Sequence, residues 1–199
     1  RWERDLPDPT DTDGQVRPVV TDDTVFVMSS GTVLALASSD GTVRWSTAVG
    51  KTGYGLWLSG DTLVASTDQV GADAVITGLN VQSGKVDWTY RPGGNGLLGD
   101  QLPTSDAGLA MVDSAGHTLV IDMNHGTVRW SNPGRVQAYG LGVAGDVVLR
   151  DAGGLLTAYD PAGKVRWHRS SVDPAGLNTL GGMVVVTGAA VGPSIDGSA

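Results

Sequence analysis

The chain has 199 residues, of which 40% are hydrophobic, 30 are glycine and none is cysteine, so disulfides, thiolate metal sites and a cysteine nucleophile are excluded. This glycine content is typical of many short strands joined by turns, and the length suits one large all-β domain or two small ones. The net charge of −8 argues against nucleic acid and against an anionic lipid surface as partners.

The first predicted unit shows the strand pattern that the rest of the chain repeats. Short β-rich runs alternate with turn residues, which indicates four consecutive strands. These strands are predicted at Val19-Val20, Thr24–Met28, Thr32–Leu36 and Val43–Ser46. Asp40-Gly41, before the last strand, predicts a two-residue type I′ turn, whose central residues both need positive φ.

A tryptophan-containing segment recurs along the chain. Its near copies are Thr42–Trp45, Lys85–Trp88, Thr127–Trp130 and Lys164–Trp167, and Trp2 looks like the end of a further copy. A glycine precedes each full copy, at Gly41, Gly84, Gly126 and Gly163. The tryptophans are 43, 43, 42 and 37 residues apart, and a β-propeller blade takes roughly 40–50 residues.

This repeat predicts an all-β fold, a β-propeller of four-stranded antiparallel blades. A single four-stranded sheet cannot bury both faces, so neighbouring blades must cover each other. A tryptophan at one fixed strand position is then most simply a docking residue between blades. Four blades are nearly complete, and Leu177–Leu180 and Met183–Thr187 predict the first two strands of a fifth.

The segments around the tryptophans resemble the tryptophan-docking repeat of the PQQ-type, quinoprotein-like propellers. The family pattern is roughly Ala-x-Asp, a Gly-Lys or Gly-Thr turn and then Trp. Its four counterparts are Ala35–Trp45, Gly78–Trp88, Val120–Trp130 and Ala158–Trp167, the last one residue tighter. The resemblance covers nearly the whole chain, which is therefore expected to form a single propeller domain over residues 1–199.

The number of blades is left open by the sequence. Members of this family usually close with seven or eight blades, so one alternative is that residues 1–199 are part of a larger ring. In the other, the segment Arg1–Arg4 supplies the outer strand of the blade begun near Leu177, and five blades close within the chain.

The resemblance favours the non-catalytic, BamB-like branch of the family. Members that are dehydrogenases carry calcium-bound PQQ and often an adjacent cysteine pair, and neither that pair nor a matching set of Glu, Asn and Asp is found here. The three histidines, His117, His125 and His168, have no metal-ligand spacing. We therefore expect no catalytic residue, no metal site and no cofactor.

The expected function is a scaffold that binds protein or peptide partners in the cell envelope, outside the cytoplasm. One alternative is a fragment of a PQQ- and Ca²⁺-dependent dehydrogenase. Another is an extracytoplasmic ligand-sensing domain of a membrane receptor or kinase, for which a membrane segment upstream of Arg1 is expected. No apolar run of 18 residues occurs in the chain, so no membrane insertion is predicted within it.

Propellers bind partners at the mouth of the ring, on the ends of the inner strands. Aligning the first strand of each blade places Arg17, Gly55, Gln101 and Tyr139 at one equivalent position, and Tyr54 and Trp57 lie on the inner strand of the second blade. Five of these residues are the candidates for an interaction surface. They are Arg17, Tyr54, Trp57, Gln101 and Tyr139. Trp57 is the one tryptophan out of phase with the repeat, and tryptophan, tyrosine and arginine are enriched at binding hot spots. The alternative interpretation is that Trp57 packs against the next blade.

Overall fold

The computed structural model describes residues 2–6, 16–68, 74–92, 101–103, 108–112, 117–143, 146–151, 155–170, 176–180 and 183–187. All regular structure in these ranges is β-strand, and the strands pair antiparallel with their sequence neighbours. The predicted all-β fold of four-stranded antiparallel blades is confirmed. Within the described ranges, no helix is long and apolar enough to cross a membrane.

The strands follow one another as successive blades. Blade 1 contains β1 (Val19–Val20), β2 (Thr24–Ser29), β3 (Thr32–Ala37) and β4 (Val43–Ala48). Blade 2 contains β5 (Gly53–Ser59), β6 (Thr62–Thr67), β7 (Val75–Asn80) and β8 (Val86–Tyr90). Blade 3 contains β9 (Gln101–Pro103), β10 (Gly108–Val112), β11 (His117–Asp122) and the first part of β12 (Val128–Val143). Blade 4 contains the rest of β12, then β13 (Asp146–Asp151), β14 (Leu155–Tyr159) and β15 (Val165–Ser170).

Blades 3 and 4 are joined by the 16-residue strand β12, so together they form one seven-stranded sheet. Its first part pairs with β11 as far as Arg135, and its second part pairs with β13 from Val136 onward. The sequence predicts two separate strands here. The structure instead runs the outer strand of blade 3 directly into the inner strand of blade 4.

A fifth blade begins with β16 (Gly176–Leu180) and β17 (Met183–Thr187), which pair as a two-stranded sheet. Residues 2–6 are not assigned to a strand, and no described strand pairs with β16–β17 besides each other. The N-terminal segment lies against blade 1, where Trp2 contacts Gly41 as the tryptophan of a preceding blade would, so the number of blades stays open.

The turn prediction at Asp40-Gly41 is wrong in type. The backbone N–H of Ala37 donates to the carbonyl of Thr42 over 2.8 Å, and Gly41 donates back to Ala37 over 2.9 Å, so residues 38–41 form a four-residue loop. Gly41 is the loop residue with positive φ, at +73°. A two-residue turn with positive φ at both positions occurs instead at Ser30-Gly31, between β2 and β3.

Every outer strand carries a β-bulge directly before its tryptophan. In blade 1, Ala35 pairs with Trp45 and Leu36 pairs with Val43, which leaves Arg44 as the extra residue. Equivalent register shifts precede the other tryptophans and leave Asp87, Arg129 and Arg166 as the extra residues. A bulge re-aims the side chains that follow it. It thereby sets the direction of each tryptophan side chain.

The hydrophobic core lies between the blades rather than within them. One cluster joins blades 1 and 2 and includes Phe26, Val33, Leu56 and Leu79. A second joins blades 2 and 3 and includes Val64, Ile76, Leu109, Met111 and Ile121. This arrangement follows from alternation, since successive residues of each strand point to the blade before and the blade after.

Candidate functional site

Four tryptophans dock on the glycine turn of the following blade. A Cβ built on Gly41 would lie 2.6 Å from Cε3 of Trp2, and one built on Gly84 would lie 2.5 Å from Cδ2 of Trp45. The same contact joins Trp88 to Gly126 and Trp130 to Gly163. Real Cβ atoms do not approach other atoms this closely, so only glycine leaves room for the indole at these positions.

These glycines meet a second requirement, because each lies in the left-handed backbone region. Their φ values run from +68° at Gly84 to +80° at Gly163, a conformation that costs other residues roughly 1–2 kcal/mol. The turn therefore combines a bend that favours glycine with a flat surface that accepts the indole. Together these two constraints explain why a glycine recurs at this turn in each of the four blades.

The four indoles differ in their hydrogen bonds. Nε1 of Trp2 donates to the carbonyl of Ser38 over 2.8 Å, and Nε1 of Trp45 donates to the carbonyl of Val81 over 2.9 Å. Nε1 of Trp88 and of Trp130 is buried and finds no acceptor among the described residues. Docking between the first blades thus includes a hydrogen bond that docking between the later blades lacks.

A threonine that the sequence analysis did not identify adds a hydrogen bond between blades 1 and 2. Thr47, two residues after Trp45, donates its hydroxyl to the carbonyl of Gly84 over 2.7 Å. The bulge before Trp45 allows both side chains to face blade 2. The signal for Thr47 would have been its spacing of two from the tryptophan, which places it on the same face of the strand.

A carboxylate or amide oxygen fixes each docking turn. In blade 2 the side-chain oxygen of Asn80 accepts hydrogen bonds from the backbone N–H of Gln82 and Ser83, at 3.1 and 3.0 Å. Asp122 accepts the backbone N–H groups of Asn124 and His125 in the same way in blade 3, and Asp160 accepts those of Ala162 and Lys164 in blade 4. In blade 1 the residue equivalent to Asn80 is Ala37, which has no side-chain oxygen. There Asp40, inside the loop, accepts hydrogen bonds from the backbone N–H and the hydroxyl of Thr42 instead.

Asp122 also pairs with the bulge residue of its own blade. Nη2 of Arg129 lies 3.0 Å from Oδ2 of Asp122, and both side chains are largely buried. Burial raises the pKa of Asp122, but the hydrogen bonds from Arg129, from the backbone of Asn124 and from His125 outweigh it, so the pKa falls below its ordinary value. Asp122 thus stays ionised and holds the turn on which Trp88 docks.

Residues 49–52 form the connector from blade 1 to blade 2, and hydrogen bonds to both blades clamp it in place. Val49 donates its backbone N–H to the carbonyl of Gly31 over 2.8 Å. Asp68, at the end of β6, accepts the backbone N–H groups of Lys51 and Thr52 at 3.1 Å. Asp68 itself has a φ of +52°, a strained value for a residue other than glycine. The connector therefore leads into β5 in a fixed position.

Tyr54 follows this clamped connector and is 42% exposed. Gly53 pairs with Thr67 and Gly55 pairs with Ser66, so Tyr54 is the extra residue of a bulge in the inner strand β5. Bulges often direct a side chain toward a binding site. Among the predicted interaction residues whose side chains the structure describes, Tyr54 is the aromatic residue that is open to solvent.

The other predicted interaction residues have different positions. Arg17 is exposed and precedes β1, the inner strand next to β5. Trp57 is partly buried and packs on the core cluster between blades 2 and 3, which is the alternative that the sequence left open. Gln101 lies in β9 and Tyr139 in β12, and their side chains are outside the described part of the structure.

The inner strands β1 and β5 do not supply the oxygen ligands that calcium-bound PQQ needs. Calcium takes six to eight oxygen ligands, mostly carboxylate and carbonyl. The inner strands β1 and β5 carry no carboxylate or amide, and the described residues contain no group of three or more His, Cys, Asp or Glu that could hold a metal ion. No chemical step through this cofactor can be assigned to these strands.

Comparison with known proteins places these features in a family context. A family model described as outer membrane protein assembly factor BamB matches residues 1–135. No curated protein matches the chain in sequence.

Among solved structures, BamB from Moraxella catarrhalis aligns with 85% of this chain and 78% of its own, at 12% identity and a TM-score of 0.48. A europium-containing methanol dehydrogenase aligns with 79% of this chain and 42% of its own, at 11% identity and a TM-score of 0.60. The computationally designed Ika8 protein aligns with 85% of this chain and 54% of its own, at 16% identity and a TM-score of 0.62. The last two share the fold, and the alignments span about half of their length.

Proposed function

Because the chain belongs to the PQQ-like β-propeller family whose model is described as outer membrane protein assembly factor BamB, we propose that it is a non-enzymatic scaffold. It binds a protein or peptide partner through the inner-strand surface that presents Tyr54. The observation that carries this proposal is an exposed aromatic residue on a bulge that follows a clamped connector.

The rigidity of the surface supports binding rather than a moving active site. The clamp by Asp68 and the docked indole of Trp45 hold blade 2 against blade 1. A partner that binds Tyr54 therefore does not have to order the connector, which lowers the entropic cost of association. Tyrosine supplies a large contact area and a hydroxyl at the loss of only two side-chain rotations.

We place the protein outside the cytoplasm, in the cell envelope. This part of the proposal is supported by the family description, which names an outer membrane assembly factor. The protein has no cysteine, so its fold does not depend on the redox state of that compartment.

The proposal is tested by peptide selection on the purified chain. A random peptide library is displayed on phage and selected, and the recovered peptides are synthesised with a fluorescent label. Their affinity is then measured by anisotropy for the wild type, for Tyr54→Ser and for the matched control Val128→Ser. Val128 is 47% exposed in the outer-strand part of β12, similar to Tyr54 in exposure but in a part of the strand that belongs to no inner strand.

We expect Tyr54→Ser to weaken binding about 30-fold, which corresponds to the roughly 2 kcal/mol of a hot-spot residue. Val128→Ser should leave the affinity unchanged. Saturable binding that both variants retain equally would show that the partner surface lies elsewhere. Failure to recover any saturable peptide would remove the support for the scaffold function itself.

A further inference from the structure

The surface that presents Tyr54 carries opposite charges at its two ends. It consists of the neighbouring inner strands β1 and β5, each of which is the edge strand of its blade. Exposed Arg17 lies two residues before β1, and exposed Lys51 lies two residues before β5. Exposed Asp22 lies two residues after β1, and exposed Asp61 lies two residues after β5. Both strands therefore run from a cation to an anion.

The two cations lie at the same end of this surface. Strands β1 and β5 are each the first strand of a blade with the same strand order, so they run in the same direction. Val16, next to Arg17, packs against the hydrophobic cluster that contains Leu56 of β5. The starts of the two strands are thereby held together, and Asp22 and Asp61 share the opposite end.

Two further carboxylates near these ends already have partners within the chain. At the cation end, the two oxygens of Asp68 accept the backbone N–H groups of Lys51 and Thr52, each at 3.1 Å. At the anion end, Asp23 pairs with Arg44 over 2.6 Å. Strands β1 and β5 themselves contain no charged side chain. The polarity of the surface therefore comes from the exposed side chains on either side of the two strands.

We propose that the partner of this surface is an extended segment with an acidic residue at one end, a basic residue at the other and an apolar side chain between them. This inference rests on the proposed function, because it names the chemistry of the partner at the same surface. The acidic residue pairs with Arg17, whose planar guanidinium can bind a carboxylate through two parallel hydrogen bonds. The basic residue pairs with Asp22 and Asp61, and the apolar side chain packs on Tyr54.

The spacing of the charges sets the length of the segment. Arg17 and Asp22 are five residues apart, which corresponds to about 16 Å in an extended chain. The acidic and basic residues of the partner are therefore expected about five residues apart as well. A polyanion such as nucleic acid does not fit, because Asp61 and the net charge of −8 repel it.

Charge exchange between the protein and a peptide tests this inference. Peptides selected on the wild type are sequenced, and labelled copies are made in which the acidic residue becomes lysine or the basic residue becomes glutamate. Anisotropy gives the affinity of each copy for the wild type, Arg17→Glu and Asp61→Lys. The controls Lys85→Glu and Asp87→Lys make the same changes in net charge at exposed positions on the outer side of blade 2.

We expect the selected peptides to contain an acidic and a basic residue about five positions apart. Arg17→Glu should weaken their binding about fivefold and should restore the affinity of the copy whose acidic residue is lysine. Asp61→Lys should act in the same way on the copy whose basic residue is glutamate. Lys85→Glu and Asp87→Lys should leave every affinity unchanged.

Equal losses in Arg17→Glu and Lys85→Glu would show an effect of net charge alone and would overturn the inference. Peptides that depend on Tyr54 but lack the charge pair, or that bind Arg17→Glu as well as the wild type, would also overturn it and would leave the proposed scaffold function standing. Failure to select any saturable peptide would remove both.

Discussion

Replacing a docked tryptophan by phenylalanine should have different costs at two neighbouring interfaces. Trp45→Phe removes an indole N–H that donates to the carbonyl of Val81 over 2.9 Å. Trp88→Phe removes an N–H that is buried and has no acceptor among the described residues. Both changes remove a similar part of a ring that packs on a glycine, Gly84 in one case and Gly126 in the other.

The difference between the two variants comes from hydrogen bonding. Trp45→Phe leaves the partly buried carbonyl of Val81 without its donor, which costs about 1–3 kcal/mol. Trp88→Phe leaves no acceptor unpaired and removes a polar group that was buried without a partner, so it recovers part of the cost of the smaller ring. We therefore expect Trp45→Phe to be less stable than Trp88→Phe by about 1–3 kcal/mol.

Urea denaturation measures this difference. The transition is followed by far-ultraviolet circular dichroism, because the substitutions themselves change the tryptophan fluorescence. Trp2→Phe and Trp130→Phe provide a second pair with the same contrast, since Nε1 of Trp2 bonds to Ser38 and Nε1 of Trp130 is unpaired among the described residues. Equal losses of stability within both pairs would refute the assignment of these hydrogen bonds.

Two further predictions concern the docking turns. Gly84→Ala should destabilise the protein by more than Gly60→Ala in the same urea assay, since both glycines have positive φ but the added methyl meets Trp45 only at Gly84; equal effects would show that the contact is loose. The pKa of Asp122 is lowered in the folded state, so its contribution to stability is complete above the ordinary value of 3.8 and is lost as the pH falls through the lowered value. Asp122→Asn should therefore flatten the decline of the urea midpoint in acid, and an unchanged decline would rule out this carboxylate as its source.

The blade repeat could be predicted from the sequence because it depends on few chemical choices. Gly84 is restricted by its backbone conformation and by the indole of Trp45, so a glycine recurs at this turn in each blade and a tryptophan recurs on the strand that docks there. The loop type could not be predicted from Asp40-Gly41, because the same residue pair suits a two-residue turn and the end of a four-residue loop. The register of the strands decides between them, and it is set by pairing across the blade.

The bulges were the main feature hidden from the sequence. Arg44 looks like an ordinary outward-facing residue between Val43 and Trp45, and only the strand pairing shows it to be extra. The same holds for Tyr54, whose exposure follows from a bulge in β5. Trp57 is a candidate interaction residue in the sequence because it is out of phase with the tryptophan repeat. Its packing depends on blade 3, which is distant along the chain, so the sequence alone does not reveal it.

The most direct test of the scaffold assignment is calorimetric titration of the wild-type chain with a selected peptide and, separately, with PQQ plus Ca²⁺. The account predicts a saturable heat of binding for the peptide and none for PQQ with calcium. Stoichiometric binding of PQQ that requires Ca²⁺, followed by dye-linked oxidation of alcohols or sugars, would contradict it and would establish an enzyme.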